Sequence, residues 1–96
     1  MNAGSPAAGA RIPAPADLVE VEVVDDEVLL YHPRQTAAVY LNPTAAVVWG
    51  LCDGRRTVAD IVALLEESYP DADPPVAEGV EAALASLQKD GMIVFR

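Results

Sequence analysis

The hydrophobic pattern of this chain changes period once, at Asn42-Pro43. Before that point apolar residues tend to recur at every second position; beyond it they recur every three or four. Alternation sends successive side chains to opposite faces of a strand, whereas the longer spacing lines one side of a helix. Strands grouped in the first half and helices in the second predict an α+β fold.

The details follow from local chemistry. In "LVEVEVV", Val19, Val21 and Val23 alternate with Glu20 and Glu22, which predicts a half-buried strand. Asp25-Asp26 supplies a turn, "EVLLYH" a second strand ended by Pro33, and "TAAVYL" a third. Short links between them favour an antiparallel meander. Asn42 can cap a helix with its side-chain oxygen, and Pro43 suits a first turn where the missing N–H costs nothing. A helix over Pro43 to Cys52 is expected, stopped by Asp53-Gly54. Thr57 with Asp60 forms a capping box for a second helix carrying Val58, Ile61, Leu64 and Leu65, ended by Tyr69-Pro70. Asp73-Pro74-Pro75 opens a third, whose stripe is Val76, Val80, Ala83, Leu84 and Leu87, and Gly91 closes it. "MIVFR" is a final extended segment.

The expected architecture is therefore α+β and winged-helix-like, a three-stranded antiparallel sheet followed by three helices, over residues 17–96. Residues 1–16 hold three prolines, six alanines, two glycines and a serine, and are read as a flexible N-terminal segment. With 96 residues, one small domain is expected.

Composition narrows the function. Fifteen acidic residues against six basic give a formal charge of −9. Phosphate backbones are bound by Lys and Arg that displace counterions, so this balance repels nucleic acid. The expected second helix, where a winged-helix reader carries its base contacts, has no Lys or Arg, and from Thr57 onward two basic residues face eight acidic ones. The 18-residue run Gln35 to Cys52 is uncharged, yet Gln35, Thr36, Asn42, Pro43 and Thr44 rule it out as a membrane helix. The amino terminus has no basic start leading into an apolar block, so a cytoplasmic location is expected. His32 and Cys52 are the only histidine and cysteine, too few for a zinc or iron–sulfur site. Cys52 is read as a buried structural thiol and His32 as a strand-end residue. No catalytic residue, metal or cofactor is expected.

The stretches "YLNPTAAVVW", "DGRRTVADIVALL" and "LQKDGMI", in this order and spacing, closely resemble the PqqD family, the RiPP recognition elements. The resemblance extends from about Val19 to Phe95. It implies a peptide chaperone that binds the leader segment of a ribosomally made precursor peptide as an added strand. The leader is then presented to a modifying enzyme, a radical S-adenosylmethionine maturase or a leader peptidase. The resemblance places the leader beside the third strand, in the groove between that strand and the third helix.

The residues themselves support the same edge. Edge strands usually carry charges or proline that discourage pairing, and Thr36 to Tyr40 carries neither, unlike the first strand with its two glutamates. The candidate peptide-binding residues are Thr36, Ala37, Ala38, Val39, Tyr40 and Leu41 on the strand, with Val80, Glu81, Leu84, Ala85, Leu87 and Gln88 on the third helix. Val39 and Leu41 are expected to face the core, and Glu81, Ala85 and Gln88 to form a rim. Leu84 and Leu87 fit either core or groove. Two other readings stay open, a winged-helix DNA-binding regulator and a scaffold subunit of an enzyme complex that reads no peptide. A monomer or weak dimer is expected.

Overall fold

The computed structural model describes residues 8–34 and 38–96. After a short 3-10 turn at Ala8–Ala10 come β1 (Pro13–Pro15), β2 (Glu20–Val24), β3 (Glu27–Tyr31) and β4 (Val39–Leu41). Then follow α1 (Pro43–Leu51), α2 (Val58–Ser68), α3 (Val76–Lys89) and β5 (Ile93–Phe95). Strands β2, β3 and β4 form an antiparallel sheet in that order, and β1 pairs with β5 in a separate antiparallel pair. The α+β order of three strands before three helices is present, with one further strand at each end.

The hairpin and helix ends are set by side chains where the sequence placed them. Asp25 and Asp26 both take positive φ, the two-residue turn whose twist suits a right-handed ribbon. The Asn42 side chain accepts the Ala45 N–H at 2.8 Å, and Thr57 and Asp60 exchange both capping-box bonds. At the end of α3, Gly91 N–H donates to the Gln88 carbonyl and Met92 N–H to the Leu87 carbonyl. Gly91 takes a φ of 76° there, as this six-to-one closure requires. Asp73 does not cap α3: Pro75 occupies the N-cap, without a side-chain hydrogen bond.

Register assigns the faces of the sheet. Val39 stands opposite Leu30, and Leu41 opposite Val28. Leu30 is fully buried, and Val28, Val39 and Leu41 pack against the core it shares with Val48, Ile61, Val80, Leu84 and Leu87. Val39 and Leu41 thus take the core side, the expected one of the two sets that alternation left open. Glu20, Glu22, Leu29, Tyr31 and Tyr40 lie on the other face.

Two expectations are corrected. The first predicted strand is not half-buried: β2 is exposed along its length, with Val21 47% and Val23 69% exposed on the core-side face. Alternation fixes which face a residue takes, not whether another layer covers it. Helix α1 packs on β4 and the helices pack on one another, while β2 packs chiefly on β3. Second, the expected flexible segment 1–16 carries structure from Ala8 onward, with Pro13 and Ala14 buried. Gly54 N–H donates to the Pro13 carbonyl at 3.0 Å, Val58 N–H to the Arg11 carbonyl at 2.9 Å, and Ala16 N–H to the Met92 carbonyl at 2.9 Å. Proline suits such a strand because its partner lies on one side only.

Candidate functional site

In the three-stranded sheet, β4 is an edge, bonded to β3 on one side and to no strand of the described residues on the other. The free side of an edge strand presents N–H and C=O groups that another extended chain can bond. Tyr40 is 70% exposed, and no charged residue lies within β4.

Beyond the end of β4 the chain turns through the Asn42 cap into α1, and an open groove of about 1010 Å³ lies there. Tyr40 and Leu41 both line it, although they point to opposite faces, so the groove runs past the strand instead of under one face. Its other walls are the start of α1, the end of α2 with Leu65 and Tyr69, the following loop, and α3. From α3 come Gly79, Ala82, Ala83 and Ser86, with Val80 and Leu87 deeper. The charged residues lining it are Asp71, Asp73 and Asp90, and none is Lys or Arg.

The predicted site residues divide against this geometry. Thr36 and Ala37 lie outside the described residues. Ala38 is exposed just before β4. Tyr40, Leu41, Val80 and Leu87 all touch the groove, the last two as core residues. Leu84 is 1% exposed and belongs to the core. Glu81 accepts from the Arg11 guanidinium at 2.9 Å, and Arg11 lies over the Phe95 ring at 4.5 Å, so this side of α3 faces the amino-terminal segment and β5. Ala85 and Gln88 follow Glu81 at four and seven residues, on that same side. The side open to the groove is Gly79, Ala82 and Ser86 instead. A helical stripe has two flanks, and spacing alone does not say which one meets the sheet edge. The α2–α3 loop was the element sequence reasoning missed, and its signal was present in the acidic, proline-rich "PDADPP".

The chemistry-bearing side chains lie elsewhere. Cys52 donates to the Val48 carbonyl at 3.2 Å, and burial, followed by the charge of Asp53, pushes its thiol up to about 11. His32 accepts the Arg34 N–H on Nδ1 at 3.0 Å. Among the described residues no group of three or more His, Cys, Asp or Glu is placed to hold a metal. No helix among them is long and apolar enough to cross a membrane.

These features define a class: small α+β domains in which a free strand edge lies beside an apolar groove. A family model described as Coenzyme PQQ synthesis protein D (PqqD) matches residues 27–93, and the chain belongs to the PqqD family. A PqqA binding protein of Klebsiella pneumoniae (strain 342) is 38% identical over 65 residues, 65% of this chain and 68% of that protein. PqqA binding protein 1 of Pseudomonas putida is 36% identical over 68 residues, 71% of this chain and 70% of that protein. Two solved structures share the fold. TbiB1 in complex with the TbiA(beta) leader peptide superposes with a TM-score of 0.71 at 22% identity, covering 83% of this chain and 93% of that one. The PqqD truncation of Methylobacterium extorquens PqqCD, described as a functional and stand-alone RiPP recognition element, gives 0.70 at 21% identity, covering 98% and 99%.

Proposed function

We propose that this chain binds the leader segment of a ribosomally synthesised precursor peptide as a strand added to β4, and presents it to a modifying enzyme. The observation that carries the reading is the uncharged edge of β4, unpaired among the described residues and opening onto a largely apolar groove, in a member of the PqqD family. The PqqA-binding relatives and the leader-bound structural neighbour support it.

Magnitudes set what the groove must add. A leader disordered beforehand loses roughly 2–5 kcal/mol on ordering. A micromolar to nanomolar complex needs about 8–12 kcal/mol net. Strand hydrogen bonds at about 1 kcal/mol each fall short of that. Two or three apolar anchors at roughly 1.5–3 kcal/mol apiece supply the difference, and the groove is where they fit.

In this reading the chain carries and does not catalyse. Its one thiol is buried and protonated at neutral pH, so the chemistry belongs to the partner, a radical S-adenosylmethionine maturase or a leader peptidase. It works in the cytoplasm, where precursors are made. Calorimetric titration with the leader segments of candidate precursor peptides, PqqA among them, tests the proposal. Saturable one-to-one binding at micromolar or tighter affinity is expected; no heat and no shift of Trp49 fluorescence, with the domain folded, would overturn it.

A further inference from the structure

We infer, resting on the leader-binding reading, that the groove selects a guest carrying a large apolar side chain next to a lysine or arginine. The large side chain lies over a floor of small α3 residues, and the aspartates of the α2–α3 loop hold the cation.

The floor argues for size. Gly79, Ala82, Ala83 and Ser86 all line the groove, and none has a side chain longer than one heavy atom beyond Cα and Cβ. A Cβ added at Gly79 would meet nothing nearer than Thr44 Cγ2, at 4.0 Å. Thr44 thus borders the floor at Gly79, and the short side chains of Ala82, Ala83 and Ser86 leave the trough of about 1010 Å³ open beyond it. Pockets of that order bury most of a drug-sized group. A small guest residue would leave the floor uncovered; an aromatic or long aliphatic one covers it.

The walls argue for charge. Asp71 and Asp73 line the groove from the loop, and none of its lining residues is basic. Within a chain of net charge −9, an acidic guest is repelled here, and a Lys or Arg is attracted over about 10 Å at ordinary salt. Like charges across a contact are a main source of discrimination between partners. The complementarity thus points to a basic guest. A second copy of this acidic chain is a poor occupant for the same reason.

Synthetic peptides of equal length test this, each with the same uncharged Val/Thr strand segment and one of three flanks: Trp-Lys, Trp-Glu or Ala-Lys. Trp-Lys should bind best. Replacing Lys by Glu should weaken it by about fivefold or more, an effect that salt reduces; replacing Trp by Ala should weaken it by about tenfold or more. Ala82→Leu, at an exposed position of the floor, fills the trough with little change of helix propensity and should bring Trp-Lys down to the Ala-Lys level while the melting temperature holds. Asp71→Asn with Asp73→Asn should remove most of the Lys-over-Glu preference, Asp90 remaining on the groove, and leave the Trp-over-Ala preference intact. Equal affinity for all three peptides, with the amides of residues 38–41 still slowed on binding, would overturn the selection and leave strand addition standing. No binding and no slowing with any of them would overturn both.

Discussion

The backbone N–H of Gly54 donates to the carbonyl of Pro13 at 3.0 Å, tying the loop between α1 and α2 to the amino-terminal strand. Gly54 takes a φ of 79°, and a Cβ there would lie 3.1 Å from Arg96 Nη1 and 3.3 Å from Ala14 Cβ. Gly54→Ala should therefore destabilise the domain by about 1–2 kcal/mol from the left-handed backbone alone. In a domain this size that lowers the melting temperature by roughly 4–16 °C, read by circular dichroism.

Leu84 separates core from groove. It is 1% exposed among the central apolar residues, so Leu84→Ala should cost about 2–5 kcal/mol of stability. Guest affinity, referred to the folded fraction, should be nearly unchanged. Chemical denaturation together with calorimetry checks both halves, and a selective loss of affinity would place Leu84 in the groove.

Acid should loosen the turn before α2. The Asp53 carboxylate accepts the backbone N–H groups of Arg55 and Arg56 at 2.9 and 3.0 Å, and the Arg56 guanidinium at 2.7 Å. The Arg56 and Arg55 backbone bonds come first in holding its pKa below the usual carboxylate value. The folded-state pKa lies below the unfolded one, so the stabilisation is full above the unfolded value of about 4. It is lost as pH falls through the folded value. Asp53→Asn keeps an acceptor but does not titrate, and should flatten that acid limb in melting curves taken across the range.

Cys52 should be silent. Its thiol is buried and pushed up to about 11, and the thiolate is the reactive form. Iodoacetamide at neutral pH should modify the unfolded chain readily and the native chain only at the rate of opening. Fast native labelling would mean that the α1 end is not packed as described.

Much of this fold was legible because its signals are local. The Asn42 cap, the Thr57–Asp60 box and the Gly91 closure each involve residues within five positions of one another. The amino-terminal strand was not legible, because Pro13, Ala14 and Pro15 read as linker composition and their burial depends on β5 and the α1–α2 loop. The exposure of Val21 and Val23 was hidden for a related reason: period tells the face, and only the tertiary arrangement tells what covers it. In the candidate site, the strand edge could be read from the missing charges and proline between Thr36 and Tyr40. The open flank of α3 could not, because Glu81 and Ala82 border the same buried stripe on opposite sides, and Arg11, seventy positions away, decides which is taken.

Amide hydrogen exchange at residues 38–41, with and without a saturating leader peptide, tests the central claim most directly. The outward amides of this edge should exchange quickly in the free protein and slow by at least about tenfold when the leader saturates it. Amides already slow in the free chain, or untouched by a leader that binds, would contradict strand addition to β4.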